Sequence, residues 1–107
     1  MRRGQRTAAK AYNKPNCRLL EFPTIKLHVL TNVESIDVSH NAIPNLHSLD
    51  THLLTCQHAL QHLIKVDLAF NSLPDVSSLH PLARSAHHLS ELNVLGNPLT
   101  QTLNYLF

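Results

Sequence analysis

Glycine is almost missing from this chain, with only Gly4 and Gly96 among 107 residues. A phosphate-cradling loop needs several glycines so that its backbone N–H groups can close on the anion, and that class of nucleotide site is excluded. Only two cysteines occur, Cys17 and Cys56, and their spacing fits no disulfide framework, so a reducing, intracellular compartment is expected. No apolar run suits a signal peptide or a membrane span, and no membrane partner is expected. No serine or cysteine nucleophile is set beside a histidine and an acid, and no carboxylate pair marks a cleft. The expectation is therefore a protein that is not an enzyme, with no cofactor and no small-molecule substrate.

Acidic residues are missing from one region only. Residues 1–18 hold Arg2, Arg3, Arg6, Lys10, Lys14 and Arg18 and no acid, whereas residues 19–107 hold three basic and seven acidic side chains. The net charge of +2 hides this division. Fixing a backbone residue costs about 1–2 kcal/mol, and the first 18 residues carry little apolar surface to offset it. They read as a basic extended arm held by an acidic protein surface or by nucleic-acid phosphates. The arm has no large apolar residue before Tyr12, so it lacks the apolar face of a mitochondrial presequence.

What the chain does have is a repeat. Val33-Ile36-Val38-Asn41-Ile43, Leu63-Val66-Leu68-Asn71-Leu73 and Leu89-Leu92-Val94-Asn97-Leu99 share one spacing, L-x-x-L-x-L-x-x-N-x-L, in all five informative places. Within Ser35–Ser39, Lys65–Ala69 and Glu91–Leu95 apolar and polar residues alternate, which predicts half-buried strands with Ile36 and Val38, and their counterparts, turned inward. A full repeat separates successive strands, so they must run parallel. An asparagine amide both donates and accepts, so Asn41, Asn71 and Asn97 can satisfy backbone groups where each strand ends. An aspartate could accept but not donate.

Asn41 to Asn71 is 30 residues and Asn71 to Asn97 is 26, long enough for helix on the return path. Leu46, Leu49, Leu53, Cys56 and Leu60 form an amphipathic stripe, and Pro81 suits a first turn with Leu82, Ala83, Ala86 and Leu89 behind it. Helices are expected near 48–61 and 80–88.

These motifs resemble the leucine-rich repeat family over roughly residues 33–105. The resemblance implies an α/β leucine-rich repeat solenoid, with a parallel β-sheet on the concave face, helices on the convex face, and about three repeats plus partial caps. The expected organisation is the arm at 1–18, a degenerate N-terminal cap at 19–32, and a repeat domain at 33–107 with repeats 33–62, 63–88 and 89–107. Asn97-Pro98-Leu99 followed by Tyr105 is similar to the C-terminal cap of intracellular members, here truncated at Phe107. Members with that cap include leucine-rich dynein light chains, other axonemal proteins and phosphatase regulators. The resemblance thus implies a structural subunit of a large assembly in the cytoplasm or cytoskeleton, such as a cilium or flagellum, with tubulin or dynein as possible partners. The alternative is a ribonucleoprotein component whose arm contacts RNA. That arm has only Tyr12 for base stacking, which favours protein.

Residues expected to meet a partner are those turned outward from the strands: Ser35, Asp37 and Ser39; Lys65 and Asp67; Glu91, Asn93 and Leu95. His40 and Phe70 stand just beyond, with Phe70 either an aromatic anchor for a partner or packed into the loop core. Asp37 and Asp67 would lie on adjacent strands about 4.8 Å apart, like charges that call for a cation. Nine histidines raise the question of metal, but His58 and His62 point away from the stripe that holds Cys56 and no further ligand is near in sequence, so no metal site is expected.

Overall fold

The computed structural model describes residues 10–55 and 59–101. Its elements run β1 (Ala11–Asn13), α1 (Leu27–Leu30), β2 (Ser35–Asp37), α2 (His47–Thr55), β3 (Lys65–Asp67), a 3-10 turn (Val76–Leu79) leading into α3 (His80–Ser85), and β4 (Glu91–Asn93). The four strands form one parallel sheet in the order β1-β2-β3-β4. Tyr12, Ile36, Val66 and Leu92 stand side by side in register across it. This is a small α/β fold, and the parallel stacking expected from the repeat spacing is present.

One cluster of buried aliphatic residues lies between the sheet and the return segments. Ile36, Val38, Val66 and Leu68 from the sheet meet Leu46 and Leu49 of the α2 region, Leu82 of α3, and Leu30 of α1. The alternating strand pattern and the three-to-four-residue stripe thus bury the same core from opposite sides. Pro81 occupies the first turn of α3 and is buried there. It needs no intrahelical acceptor for a missing N–H at that place, and its fixed φ already suits a helix.

The elements differ from those expected at several places. The basic arm expected over residues 1–18 is not all arm: Ala11–Asn13 is the first strand, paired to Ser35–Asp37. Backbone N–H groups of Glu34 and Ser35 donate to the Lys10 carbonyl, and Lys10 Nζ lies 3.5 Å from a Glu34 carboxylate oxygen. The segment 19–32 is the return path from that strand to β2, with Phe22, Ile25 and Leu30 buried. The strands are three residues long rather than five. α2 begins at His47 and is described to Thr55, and residues 59 and 60 are turn rather than helix. α3 ends at Ser85, short of the expected 88, and Ala83 is exposed. Arg2, Arg3, Arg6, Cys56, His58, Tyr105 and Phe107 lie outside the described residues.

Candidate functional site on the outward face of the sheet

Parallel in-register pairing turns each outward strand position into a row. One row is Ala11, Ser35, Lys65 and Glu91, and the next is Asn13, Asp37, Asp67 and Asn93. The sheet itself thus brings together most of the expected partner-facing residues. A shallow hollow of about 150 Å³ lies over its middle, lined by Asn13, Ser35, Ile36, Asp37, Lys65 and Asp67. Asp37 and Asp67 are half-buried neighbours in register, while Lys65 and Glu91 are exposed.

The carboxylates have structural work as well. Asp37 Oδ1 accepts from the Ser39 N–H at 3.0 Å and from the Ser39 hydroxyl at 2.7 Å. Asp67 Oδ1 accepts from the Ala69 N–H at 3.0 Å, and Asn93 Oδ1 from the Leu95 N–H at 3.1 Å. Each side chain bends the backbone two residues on, which stops the strand. This is why strict alternation ends early, and it corrects one expected site residue: Ser39 is only 6% exposed and its hydroxyl is spent on Asp37.

Behind the turn runs a ladder of asparagines. Asn71 Nδ2 donates to the carbonyls of Val38 and Leu68, both at 3.0 Å, while its Oδ1 accepts from the Ile43 N–H at 3.1 Å. Asn97 does the same one repeat later, donating to Leu68 and Val94 and accepting from the Leu73 N–H. Asn41 donates to Lys14 and Val38 and accepts from the Leu19 N–H at 2.9 Å. Each amide therefore clasps its own turn and the turn before it. The expected bracing role is present, and its reach across repeats is what the sequence did not reveal. In the first repeat Cys17 stands at the ladder position, and its own N–H donates to Asn41 Oδ1.

The residue before each ladder position is left-handed: Asn16 (φ 53°), His40 (58°), Phe70 (58°) and Gly96 (78°). His40 and Phe70 stack with ring centroids 4.6 Å apart. Phe70 also lies over Gly96, where an added Cβ would collide with its ring. Phe70 is 47% exposed, but its faces are occupied by His40 and Gly96. Phe70 is thus both packed against its loop neighbours and exposed on the rim next to exposed Leu95.

Tyr12, in the inward row of β1, has its phenol pKa raised above the usual value by burial and, secondarily, by the nearby Cys17. On the opposite side a groove of about 380 Å³ between the α2 and α3 segments is larger, but its charged side chains already have partners within it. Arg84 meets Asp50 at 2.5 Å and the Ser77 hydroxyl meets Asp75. Among the described residues no three His, Cys, Asp or Glu side chains are grouped to hold a metal ion, and no helix is long and apolar enough to cross a membrane. Comparison with family models, curated proteins and solved structures finds no match to the chain.

Proposed function

We propose that this chain is a leucine-rich repeat solenoid without catalysis, which grips a protein partner on the outward face of its sheet. The observation that carries the reading is the pair of in-register rows, held at fixed spacing by the asparagine ladder. A surface whose side chains are set by a backbone lattice loses little conformational freedom on binding, which suits recognition of a folded partner. Exposed Lys14 and Arg18 follow β1 and carry the positive charge of the arm on to the β1 end of the sheet. A basic end and an acidic row on one sheet suit a structural subunit held between neighbours in a large intracellular assembly, such as an axoneme or another microtubule complex.

Co-sedimentation with microtubules tests this, using the intact chain, an arm variant with Arg2, Arg3 and Arg6 changed to serine, and a face variant, Asp37→Lys with Asp67→Lys. The expectation is pelleting by the intact chain that weakens about tenfold or more in the arm variant, since acidic tubulin would meet the basic arm. RNA binding titrated against salt runs alongside. Pelleting indifferent to the arm, or salt-dependent RNA binding alone, refutes the microtubule reading.

A further inference from the structure

The inward row of the sheet is covered at one place and open at another. Ile36 and Val66 are each 1% exposed, whereas Leu92, in register with them on β4, is 41% exposed and Leu95 is 62% exposed. Among the described residues the backbone is open at the same edge. Glu91 N–H donates to Ile64, and the carbonyls of Asn93 and Leu95 accept from Leu68 and Phe70, so these odd-numbered residues face β3. Alternation turns the N–H and C=O of Leu92 and the N–H of Val94 to the free side. The ladder shows the same vacancy: the carbonyls of Val38 and Leu68 each accept from two asparagine amides, but among the described residues that of Val94 accepts from Asn97 alone.

We infer that the free edge of β4 is a dimer interface whose occupant is the β4 edge of a second copy of this chain, paired antiparallel about a two-fold axis at Leu92. Self-complementarity selects this occupant. On that axis Leu92 faces the partner's Leu92 as a hydrogen-bonded pair, exchanging both N–H···O bonds. Val94 N–H then reaches the partner's Ser90 carbonyl, whose equivalents Glu34 and Ile64 accept across the sheet. Glu91 comes opposite the partner's Asn93, a carboxylate against an amide, so no like charges meet. Head-to-tail addition of β1 to β4 is poorer. It would set Val94 against Lys14, a charged residue in the apolar row, and would not close. The edge is thus isologous and buries the exposed core leucine twice.

Sedimentation equilibrium of the full chain over a wide concentration range reads the result. The expected outcome is a monomer–dimer equilibrium whose dissociation constant rises at least roughly tenfold in Leu92→Lys, as for truncation of a central interface residue. A second variant guards against misfolding. Leu92→Cys, in a chain with Cys17→Ser and Cys56→Ser, should form a covalent dimer on mild oxidation, because paired Cα atoms about 5.5 Å apart lie within disulfide reach. Lys65→Cys in the same background should not. A chain monomeric throughout the range overturns the inference, as does a dimer unchanged by Leu92→Lys. Loss of monomer stability in Leu92→Lys without any dimer in the parent chain also overturns it, since Leu92 would then be covered from within its own chain.

Discussion

Replacing Asn71 by aspartate tests the ladder at its best-buried interior rung. The two side chains have nearly the same shape, so the change removes donors and leaves the volume alone. Asn71 is 7% exposed, and its Nδ2 points at the carbonyl oxygens of Val38 and Leu68, both 3.0 Å away. In the aspartate variant the Ile43 N–H keeps its acceptor, but a second carboxylate oxygen faces two carbonyl oxygens. Two lost hydrogen bonds cost about 0.5–1.5 kcal/mol each. Adding a buried charge without a counter-ion brings the total to about 3–5 kcal/mol. Domains of this size are stable by about 5–15 kcal/mol, so a large share of the margin would disappear.

The dependence on pH separates this cause from simple loss of packing. Repulsion and burial hold the new carboxyl pKa above its ordinary value of about 3.9 in the folded state. The charge-dependent part of the loss is then absent below that ordinary value and complete once pH has risen through the raised one. Urea unfolding followed by circular dichroism should show the gap between Asn71→Asp and the parent chain widening from acid to neutral pH. Asn71→Ala, which orphans the Ile43 N–H, should show a gap that hardly moves. A cost below about 0.5 kcal/mol at neutral pH, small for two bonds of this kind, or a gap indifferent to pH, would refute the ladder as a stabilising device.

Gly96→Ala should cost about 2–4 kcal/mol in the parent chain, combining a left-handed φ with a clash against Phe70, but only about 1 kcal/mol when Phe70 is also alanine. Equal costs in both backgrounds, measured as a double-mutant cycle, would show that the two do not touch. Absorbance titration of a Tyr105→Phe chain should place the Tyr12 phenol above its ordinary pKa of 10.0. Because the folded value is raised, its contribution to stability is complete below pH 10.0 and is lost as pH climbs through the folded value. Arg84→Ala should cost under about 1 kcal/mol in thermal unfolding, since the ion pair with Asp50 is largely exposed, its side chains 61% and 35% accessible.

The sheet and its register were legible because asparagine has one physical reason to recur on that schedule, and the aliphatic positions around it leave one way to be buried. β1 was not legible because its pattern breaks twice. Lys14 stands where Val38, Leu68 and Val94 stand in the other repeats, and Cys17 stands where they have asparagine. Tyr12 and Leu19, each 24 residues before Ile36 and Ile43, were the signal available. Composition points the other way, because six basic residues suggest a solvated tail, yet strand pairing needs only three residues of backbone. Ser39 is buried because alternation stops at the point where Asp37 bends the chain. The stacking of Phe70 on its neighbours depends on φ at His40 and Phe70, which no side-chain spacing reveals.

The asparagine clasp has a direction. The backbone N–H groups of Leu19, Ile43 and Leu73 are each held by an amide belonging to the following turn. Loosening β4 in a single chain therefore strips protection from Leu73, losing β3 strips it from Ile43, and Leu19 is exposed only when the turn after β2 lets go. Fraying should advance from the carboxyl side like tiles lifting from the last course upward, and amide hydrogen exchange would register it as a graded series of opening energies, lowest at Leu73.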